Sequence, residues 1–197
     1  MDRDEAKKIV KPRLSEKRWH HTKNVKKMAV ALAERYGADP EKAAVAAILH
    51  DAAKEMPRDA MLQILRDNAI IANNTAQRPQ PIWHGVVAAI LAQTQWGVED
   101  AEILSAIRCH TTGKINMSLL DKILYMADMT SAERDFPGVE QLRTMQMQDL
   151  DLALMQAMRR TIDFQTQKGS TLDPETRAAY DWLCAQRAAQ QDATQGG

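Results

Sequence analysis

The residues with the clearest chemical potential are a histidine and an aspartate in direct succession, His50 and Asp51. They follow the apolar run Ala43 to Leu49, so the sequence predicts that both side chains are buried. Neighbouring residues of a helix point about 100° apart, because one turn takes about 3.6 residues. Both side chains can therefore reach one object beside the helix. Burying two such polar groups is costly unless they have partners, and a metal ion would be a partner for both.

Further candidate ligands are present. The five histidines of the chain are His20, His21, His50, His84 and His110. The last four lie near the ends of predicted helices, and Asp128 ends an apolar helix, where a lone buried carboxylate would be costly. Imidazole and carboxylate ligands suit iron, manganese, zinc and similar ions. One such residue alone is more often a hydrogen-bonded core residue, but the whole set in one short chain predicts a metal site.

The elements that must position these residues are predicted to be helices. The chain has 197 residues, with 8 glycines, 7 prolines and 5% aromatic residues, and helix-favouring residues dominate it. No stretch shows the sustained period-two alternation of a strand. We therefore predict an all-α fold: a single helical bundle over residues 1–191, followed by a disordered tail over 192–197.

Local signals predict where the helices begin and end. Capping residues, prolines and glycines punctuate the apolar patterns. The helix that carries His50 and Asp51 is expected to begin at Pro40 and to end before Pro57, and residues 71–82 are expected to form a loop. The other helices are predicted over 5–14, 15–36, 58–67, 83–96, 99–110, 118–128, 146–167 and 174–190.

Composition narrows the class of protein. The net charge is +0 and the pI is about 7.0, so there is no basic field that would favour non-specific nucleic-acid binding. The two cysteines, Cys109 and Cys184, form no CxxC pair, which favours a reducing, cytoplasmic setting. The N-terminus has no apolar signal core, and no apolar run reaches the roughly 18 residues of a membrane span. We expect a cytoplasmic protein that binds neither nucleic acid nor membrane.

The order of the candidate ligands resembles the two-metal form of the HD-domain phosphohydrolase superfamily. Longer stretches are similar to one group within it, the bacterial YqeK-like family of symmetrical diadenosine tetraphosphate hydrolases. The likeness covers nearly the whole chain, and the His-Thr-Thr-Gly and Arg-Asp-Phe-Pro-Gly segments are more specific than the His-Asp pair. The stretches that carry it are Leu14–His21, Leu49–Glu55, Ala106–Gly113, Met117–Asp128 and Arg134–Val139.

The resemblance implies a ligand set and an activity. Six metal ligands follow from it: His21, His50 and Asp128 at one metal, His84 and His110 at the other, and Asp51 bridging both. The expected cofactors are two divalent metal ions, iron in the first place, with manganese, cobalt or zinc as alternatives. The expected reaction is attack of a metal-activated water on diadenosine tetraphosphate, which gives two ADP. A homodimer is also implied.

Several polar residues near the ligands are candidates for substrate binding. Lys54 follows Asp51 by three residues, which on a helix would place it on the metal side, so we expect it to contact phosphate and to serve in catalysis beside Asp51. Each candidate also has a structural interpretation: a solvated lysine, a helix-ending turn, or a polar turn residue. The substrate-binding candidates are Lys54, Thr111, Thr112, Gly113, Arg134 and Asp135.

Two features depart from the family pattern. The family often has an aromatic residue, an isoleucine and a Glu-Pro pair where this chain has Met129–Glu133, which leaves the nucleotide preference open. His20 stands beside His21, and only the family pattern selects His21 as the ligand. Two alternative functions stay open: another HD phosphohydrolase, such as a nucleotidase or a phosphodiesterase, and a non-catalytic nucleotide sensor.

Overall fold

A computed structural model describes residues 1–69 and 74–195, and all the regular structure in those ranges is helical, which confirms the predicted all-α fold. Short 3₁₀ helices cover Lys11–Arg13, Thr75–Gln77 and Gln80–Ile82. The α-helices of the described ranges are α1 (Arg3–Val10), α2 (Glu16–Tyr36), α3 (Pro40–Leu49), α4 (Arg58–Asp67), α5 (Trp83–Thr94), α6 (Ala101–Cys109), α7 (Leu119–Thr130), α8 (Val139–Gln146), α9 (Leu150–Gln167) and α10 (Pro174–Gln195).

Capping residues set the ends of the helices that carry the candidate ligands. The Ser15 hydroxyl accepts a hydrogen bond from the Arg18 amide at the start of α2. The Asp39 carboxylate caps α3 in the same way, with a proline at the first helical position. Ser118 and Asp121 form the reciprocal capping box of α7. These local signals are readable in the sequence, and the helix starts they predict are confirmed to within one residue.

Helix α3 lies at the centre of the bundle. Each residue from Ala43 to Leu49 is at most 3% exposed. The helix contacts α1, α2, α5, α6 and α7, so it has no face toward solvent along this stretch. A helix that is apolar all round is buried on all sides. Its C-terminal end, where His50 follows, therefore lies inside the protein.

The prediction that His50 and Asp51 lie within a helix extending to Pro57 was wrong. Helix α3 ends at Leu49, and residues 50–55 form turns. The hydrogen bonds change to shorter range there: the Ala52 amide donates to the Leu49 carbonyl at 3.0 Å, and the Lys54 amide to the Asp51 carbonyl at 2.9 Å. Polar contacts of the buried Asp51 with other elements outweigh the local helix preference of this alanine-rich segment.

The predicted helix over 146–167 corresponds to α9, which begins four residues later than predicted, and the preceding helix α8 was not predicted. Helix α8 ends at Gln146, and α9 begins at Leu150 with its own cap, because the Asp149 carboxylate accepts the Leu152 amide at 2.9 Å. Helix α8 itself begins directly after Gly138, which has a φ of +91°.

Three further predictions concern the remaining segments. The loop predicted over 71–82 lies partly on residues 70–73, outside the described residues, and its later part contains the two short 3₁₀ helices. Helix α10 continues to Gln195, beyond the expected domain end at residue 191, while 196–197 lie outside the described residues. The boundary of the domain stays a prediction. No helix in the described ranges is long and apolar enough to cross a membrane.

Candidate metal centre

The structure brings the six predicted metal ligands together from five parts of the chain. All but one of them are at most 6% exposed, and Asp128 is half-buried. Their positions are His21 in α2, His50 and Asp51 directly after α3, His84 in the first turn of α5, His110 directly after α6, and Asp128 in the last turn of α7.

Asp51 lies at the middle of this group, and its two oxygens face different histidines. Oδ2 lies 3.6 Å from His21 Nε2 and 3.5 Å from His50 Nε2. Oδ1 lies 3.2 Å from His84 Nε2 and 3.8 Å from His110 Nε2. A carboxylate placed between two imidazole pairs in this way can bridge two cations.

The donor atoms fit divalent metal ions. Three overlapping groups each bring their ligand atoms within 4.8 Å of one another. The fully buried His50 Nε2 has no hydrogen-bond partner among the described residues, and a buried polar atom left in this way costs about 1–3 kcal/mol. A bound cation would satisfy it. The groups are His21, His50 and Asp51; His50, His110 and Asp128; and Asp51, His84 and His110.

The division of the ligands between two metals stays a prediction. His84 Nε2 and His110 Nε2 are 3.1 Å apart, and His21 Nε2 lies 3.1 Å from Asp128 Oδ1, which agrees with the expected pairs. His50 lies between them: its ring centroid is 5.5 Å from that of His21 and 4.9 Å from that of His110.

Metal binding needs neutral imidazoles and charged carboxylates, and the pKa shifts of both carboxylates and of His84 and His110 favour those states. His50 differs: burial alone would lower its pKa, but the charge of the adjacent Asp51 outweighs burial and raises it. Burial alone would raise the pKa of Asp51, but the adjacent His50 and His84 outweigh it and hold that pKa far below its usual range. The pKa of Asp128 is also held far below its usual range, because the hydrogen bond from His21 and the charge of Arg134 outweigh the effect of burial. Burial lowers the pKa of His110 to about 3.

Three of the four ligand imidazoles are oriented by main-chain carbonyls. Their Nδ1 atoms donate to the carbonyl three residues earlier, at 2.7 Å for His50, 2.9 Å for His84 and 2.7 Å for His110. Such a bond fixes the tautomer and leaves Nε2 free to bind a metal.

The fourth imidazole, His21, is oriented by a side chain instead. Its Nδ1 donates to Oε1 of Glu133, which also accepts from the Ser131 hydroxyl at 2.7 Å. The other Glu133 oxygen accepts from the Asn24 amide at 2.7 Å. Burial alone would raise the pKa of Glu133, but these hydrogen bonds lower it to about 2. His21 is thus held by a charged carboxylate.

The loop that carries Glu133 is fixed by one arginine. Arg143 of α8 donates to the Thr130 carbonyl at 3.0 Å, to the Ser131 carbonyl at 2.8 Å and to the Arg134 carbonyl at 2.9 Å. The position of the Glu133 carboxylate therefore depends on a residue that touches no ligand.

Comparison with known proteins gives this arrangement a family. Residues 18–133 match the family described as HD domain. The chain belongs to the HD-domain family.

Its relatives make the assignment more specific. A Bacillus subtilis (strain 168) protein named symmetrical bis(5'-nucleosyl)-tetraphosphatase is 43% identical over 183 residues, which cover 93% of this chain and 98% of the relative. A Staphylococcus aureus (strain NCTC 8325 / PS 47) protein of the same name is 34% identical over 178 residues, 89% and 91% of the two chains. The predicted YqeK-like membership is confirmed, and the protein is a hydrolase.

A solved structure supports the same fold. An HD superfamily hydrolase from Clostridium acetobutylicum, described as involved in NAD metabolism, aligns with a TM-score of 0.84 and 36% identity, covering 93% of this chain and 97% of that one. The predicted HD-domain bundle is thereby confirmed.

Three cationic side chains surround the ligands of this HD domain. Arg18 Nη1 lies 2.9 Å from Asp51 Oδ2, and Arg134 Nη2 lies 2.5 Å from Asp128 Oδ1. Lys54 Nζ lies 3.2 Å from His84 Nε2, and burial lowers its pKa. Lys54 was predicted to lie on the same helix face as Asp51, but it reaches the metal centre from the turn after α3.

The other substrate-binding candidates differ in their surroundings. Thr111 Oγ1 is buried and has no hydrogen-bond partner among the described residues, whereas Thr112 donates to the Gly113 carbonyl at 2.9 Å. Gly113 has a φ of +68°, and a Cβ there would collide with Met158. Asp135 is exposed, and no hydrogen bond or ion pair joins it to a ligand in the described part of the chain. Their roles toward substrate stay predictions.

Sequence reasoning missed two residues that contact the candidate ligands, Arg18 and Glu133, and it missed Asn24, which contacts Glu133. The spacing of Arg18, three residues before His21 on one helix, is a usable signal. Glu133 is 112 residues from His21, so only the folded chain reveals their contact. The structure also separates the two adjacent histidines, because His20 is exposed and His21 is buried.

Proposed function

We propose that this HD-domain hydrolase cleaves diadenosine tetraphosphate and related dinucleoside polyphosphates symmetrically, giving two ADP from the former. The observation that carries the proposal is Asp51, whose two oxygens face two separate histidine pairs. The names of the relatives in Bacillus subtilis and Staphylococcus aureus support the same substrate and the same products.

The ligand set would hold two divalent cations, which we propose to be iron ions. Such ions neutralise phosphate charge and lower the pKa of a coordinated water toward neutrality. The chain itself contributes the orientation of the imidazoles and a charged Asp51 between them. Exclusion of water by the buried walls strengthens each electrostatic interaction within the site.

Three cations are placed to receive the polyphosphate. In this proposal Arg18, Lys54 and Arg134 exchange their present partners for phosphate oxygens, because a polyphosphate carries more charge than one carboxylate or imidazole offers them. Lys54 also stabilises the charge that develops on the departing ADP. Arg134 has the planar fork that suits a phosphate group.

The same proposal includes the setting of the enzyme. The substrate is a small nucleotide, and we infer a cytoplasmic location and a homodimer from the resemblance to the family. A nucleic-acid partner is not expected for a chain with a net charge of +0.

Product analysis tests the proposal. Purified protein of known metal content is incubated with diadenosine tetraphosphate in the presence of iron, manganese or cobalt, and the nucleotides are separated by chromatography. We expect ADP as the sole product, and no product after chelation. ATP plus AMP would show asymmetrical cleavage and would contradict the proposal. Absence of turnover with every metal would favour a nucleotide sensor, to be followed by binding measurements.

A further inference from the structure

A cavity of about 230 Å³ is lined mainly by α1, by the 3₁₀ helix after it and by the first half of α2. None of the six candidate metal ligands lines it, and neither do Arg18, Lys54 or Arg134, the cations of the metal centre. Helix α3 contributes Ile48, two residues before His50. The cavity is therefore separate from the metal centre. We call it the lysine cavity, after four residues that line it: Lys7, Lys11, Lys23 and Lys26.

The spacing of these lysines directs two positively charged faces toward one space. Lys7 and Lys11 are four residues apart, and Lys23 and Lys26 are three residues apart. Residues at these spacings share one face of a helix. Helix α1 continues directly into the 3₁₀ helix that begins at Lys11, so the first pair is aligned as well. The two faces meet at the lysine cavity.

The four lysines have no ion-pair partner among the described residues. Arg3, which also lines the cavity, is paired with Glu41, and Asp4 is the only carboxylate that lines it in the described part of the chain. The net charge of the whole chain is +0, so this local excess does not follow from a basic composition. A cleft lined by charges of one sign concentrates the opposite ion. The lysine cavity thus favours an anion.

Thr22 adds an unsatisfied hydroxyl to the same cavity. Threonines within helices commonly donate to the carbonyl four residues earlier, as Thr94, Thr130 and Thr161 do here at 2.8, 2.6 and 3.1 Å. Thr22 is fully buried and lines the cavity, yet its Oγ1 makes no hydrogen bond with the described residues. A buried hydroxyl without a partner is costly unless a ligand or water completes it. An anionic oxygen is a suitable acceptor.

The size of the cavity and one aromatic side chain narrow the class of anion. Pockets for small organic molecules typically enclose roughly 300–1,000 Å³, so about 230 Å³ suits a smaller group. Several ammonium groups around one space match the several charges of a diphosphate. Trp19 is half-buried and lines the cavity, and its indole could stack on a flat ring that extends from such a group.

We propose that the lysine cavity is a second anion site, which binds a diphosphate group, either free or at the end of a nucleotide. The lysines bind the phosphate oxygens, and the Thr22 hydroxyl donates to one of them. Where the diphosphate belongs to a nucleotide, Trp19 stacks on the base. The site does not take part in the proposed hydrolysis, and it stands or falls independently of it.

Paired lysine variants test the site. Lys7→Gln/Lys26→Gln removes two charges from the lysine cavity, whereas Lys8→Gln/Lys27→Gln removes two charges from adjacent positions that do not line it. The Kd of inorganic pyrophosphate is measured by calorimetry, with metal content determined before and after. Wild type should show two classes of site, the metal centre and the cavity. The first variant should weaken only the cavity class, at least about tenfold, equivalent to about 1.4 kcal/mol. The second should match wild type.

The Thr22 hydroxyl is tested by a second pair of variants. Thr22→Val keeps the shape of the side chain without the hydroxyl, and Thr22→Ser keeps the hydroxyl. Loss of a hydrogen bond to a charged group should weaken pyrophosphate binding at the cavity at least about fivefold in Thr22→Val. Thr22→Ser should retain the wild-type affinity. Thr22→Val should melt no lower than wild type, because its hydroxyl has no partner to lose.

ADP distinguishes the two sources of the diphosphate. Tighter binding of ADP than of pyrophosphate at the cavity, with the advantage lost in Trp19→Leu, would identify a nucleotide as the occupant. Equal or weaker binding of ADP would identify a free diphosphate.

Three results would overturn the proposal. They are a single class of pyrophosphate site in wild type, equal affinities in the two double lysine variants, and equal affinities in Thr22→Val and Thr22→Ser. If Lys7→Gln/Lys26→Gln does not fold, as judged by circular dichroism, Lys7→Gln/Lys23→Gln replaces it, with the same control and the same contradicting results.

Discussion

Two sides of the metal centre are built in different ways. On the backbone side, His84 and His110 are oriented by main-chain carbonyls, that of Pro81 in the 3₁₀ helix before α5 and that of Ile107 near the end of α6. On the loop side, charged side chains from the segment between α7 and α8 hold the candidate ligands. Glu133 holds His21, and Arg134 holds Asp128. The backbone side can change only if a helix moves, whereas the loop side can be altered one side chain at a time.

The difference shows which part of the site is tied to the fold. A carbonyl three residues before a histidine is present whatever side chain stands there, so the backbone side places few demands on sequence. The loop side needs Glu133 with its donors Ser131 and Asn24, the latter from α2, and it needs Arg143 to hold the loop that carries Glu133. Changes in metal affinity should therefore arise more readily on the loop side.

The largest expected loss of activity comes from neutralising the Asp51 carboxylate, which faces both sides of the metal centre. Asp51→Asn takes away the charge between the two histidine pairs. It should lower kcat by more than the roughly 100-fold that loss of an outer partner can cost. Turnover of diadenosine tetraphosphate and the circular dichroism spectrum are measured together. A normal rate in a folded Asp51→Asn protein would mean that the carboxylate does not bridge two metals.

Removing one histidine from each side tests whether the sides hold separate metals. His110→Ala should lose the metal of the backbone side and His21→Ala that of the loop side, so each variant should bind half as much metal as wild type. Metal content is measured by atomic emission after gel filtration. His20→Ala is the control, because His20 is exposed and should leave metal content unchanged. Loss of all metal in both variants would show one cooperative site.

A smaller effect is expected from neutralising the carboxylate that orients His21. Glu133→Gln keeps the shape but removes the charge, and loss of such an outer partner typically weakens metal affinity or activity about 10–100-fold. Glu34→Gln, at an exposed position of α2, is the matched control. Metal affinity is measured by competition with a chelator. Equal affinities in the two variants would show that Glu133 does not support the loop side.

The smallest effect is expected from crowding the backbone side. A Cβ at Gly85 would lie 3.1 Å from the His110 ring and 3.2 Å from the Ile107 carbonyl that this ring contacts. Gly85→Ala should shift the imidazole by a few tenths of an ångström and weaken metal affinity less than Glu133→Gln does. The same chelator competition measures it. A larger loss than in Glu133→Gln would make the backbone side the more sensitive one.

The sequence was most informative where local signals and residue types act alone. The caps at Ser15, Asp39 and Ser118 fix helix starts through contacts within three residues, so the positions of those starts are readable. The candidate metal ligands are recognisable because histidine and aspartate are rare in apolar surroundings. The HD-domain family follows from their order along the chain.

Features that depend on distant contacts were not predicted. The end of α3 at Leu49 carries no breaker residue, and polar contacts of Asp51 from other elements replace one. The contact of Glu133 with His21 depends on a loop that Arg143 holds from a later helix. Neither spacing nor propensity encodes such a contact.

The burial of α3 on every side has a consequence for how this protein can vary. Asp51 lies two residues beyond the last helical residue, Leu49, so the length of α3 determines its place and direction. Inserting or deleting one residue in the helix would turn Asp51 by about 100° and move it by about 1.5 Å along the axis. The number of residues in α3 thus sets the position of Asp51. We expect relatives with an aspartate in this role to keep the same number of residues in this helix, while loops elsewhere vary in length.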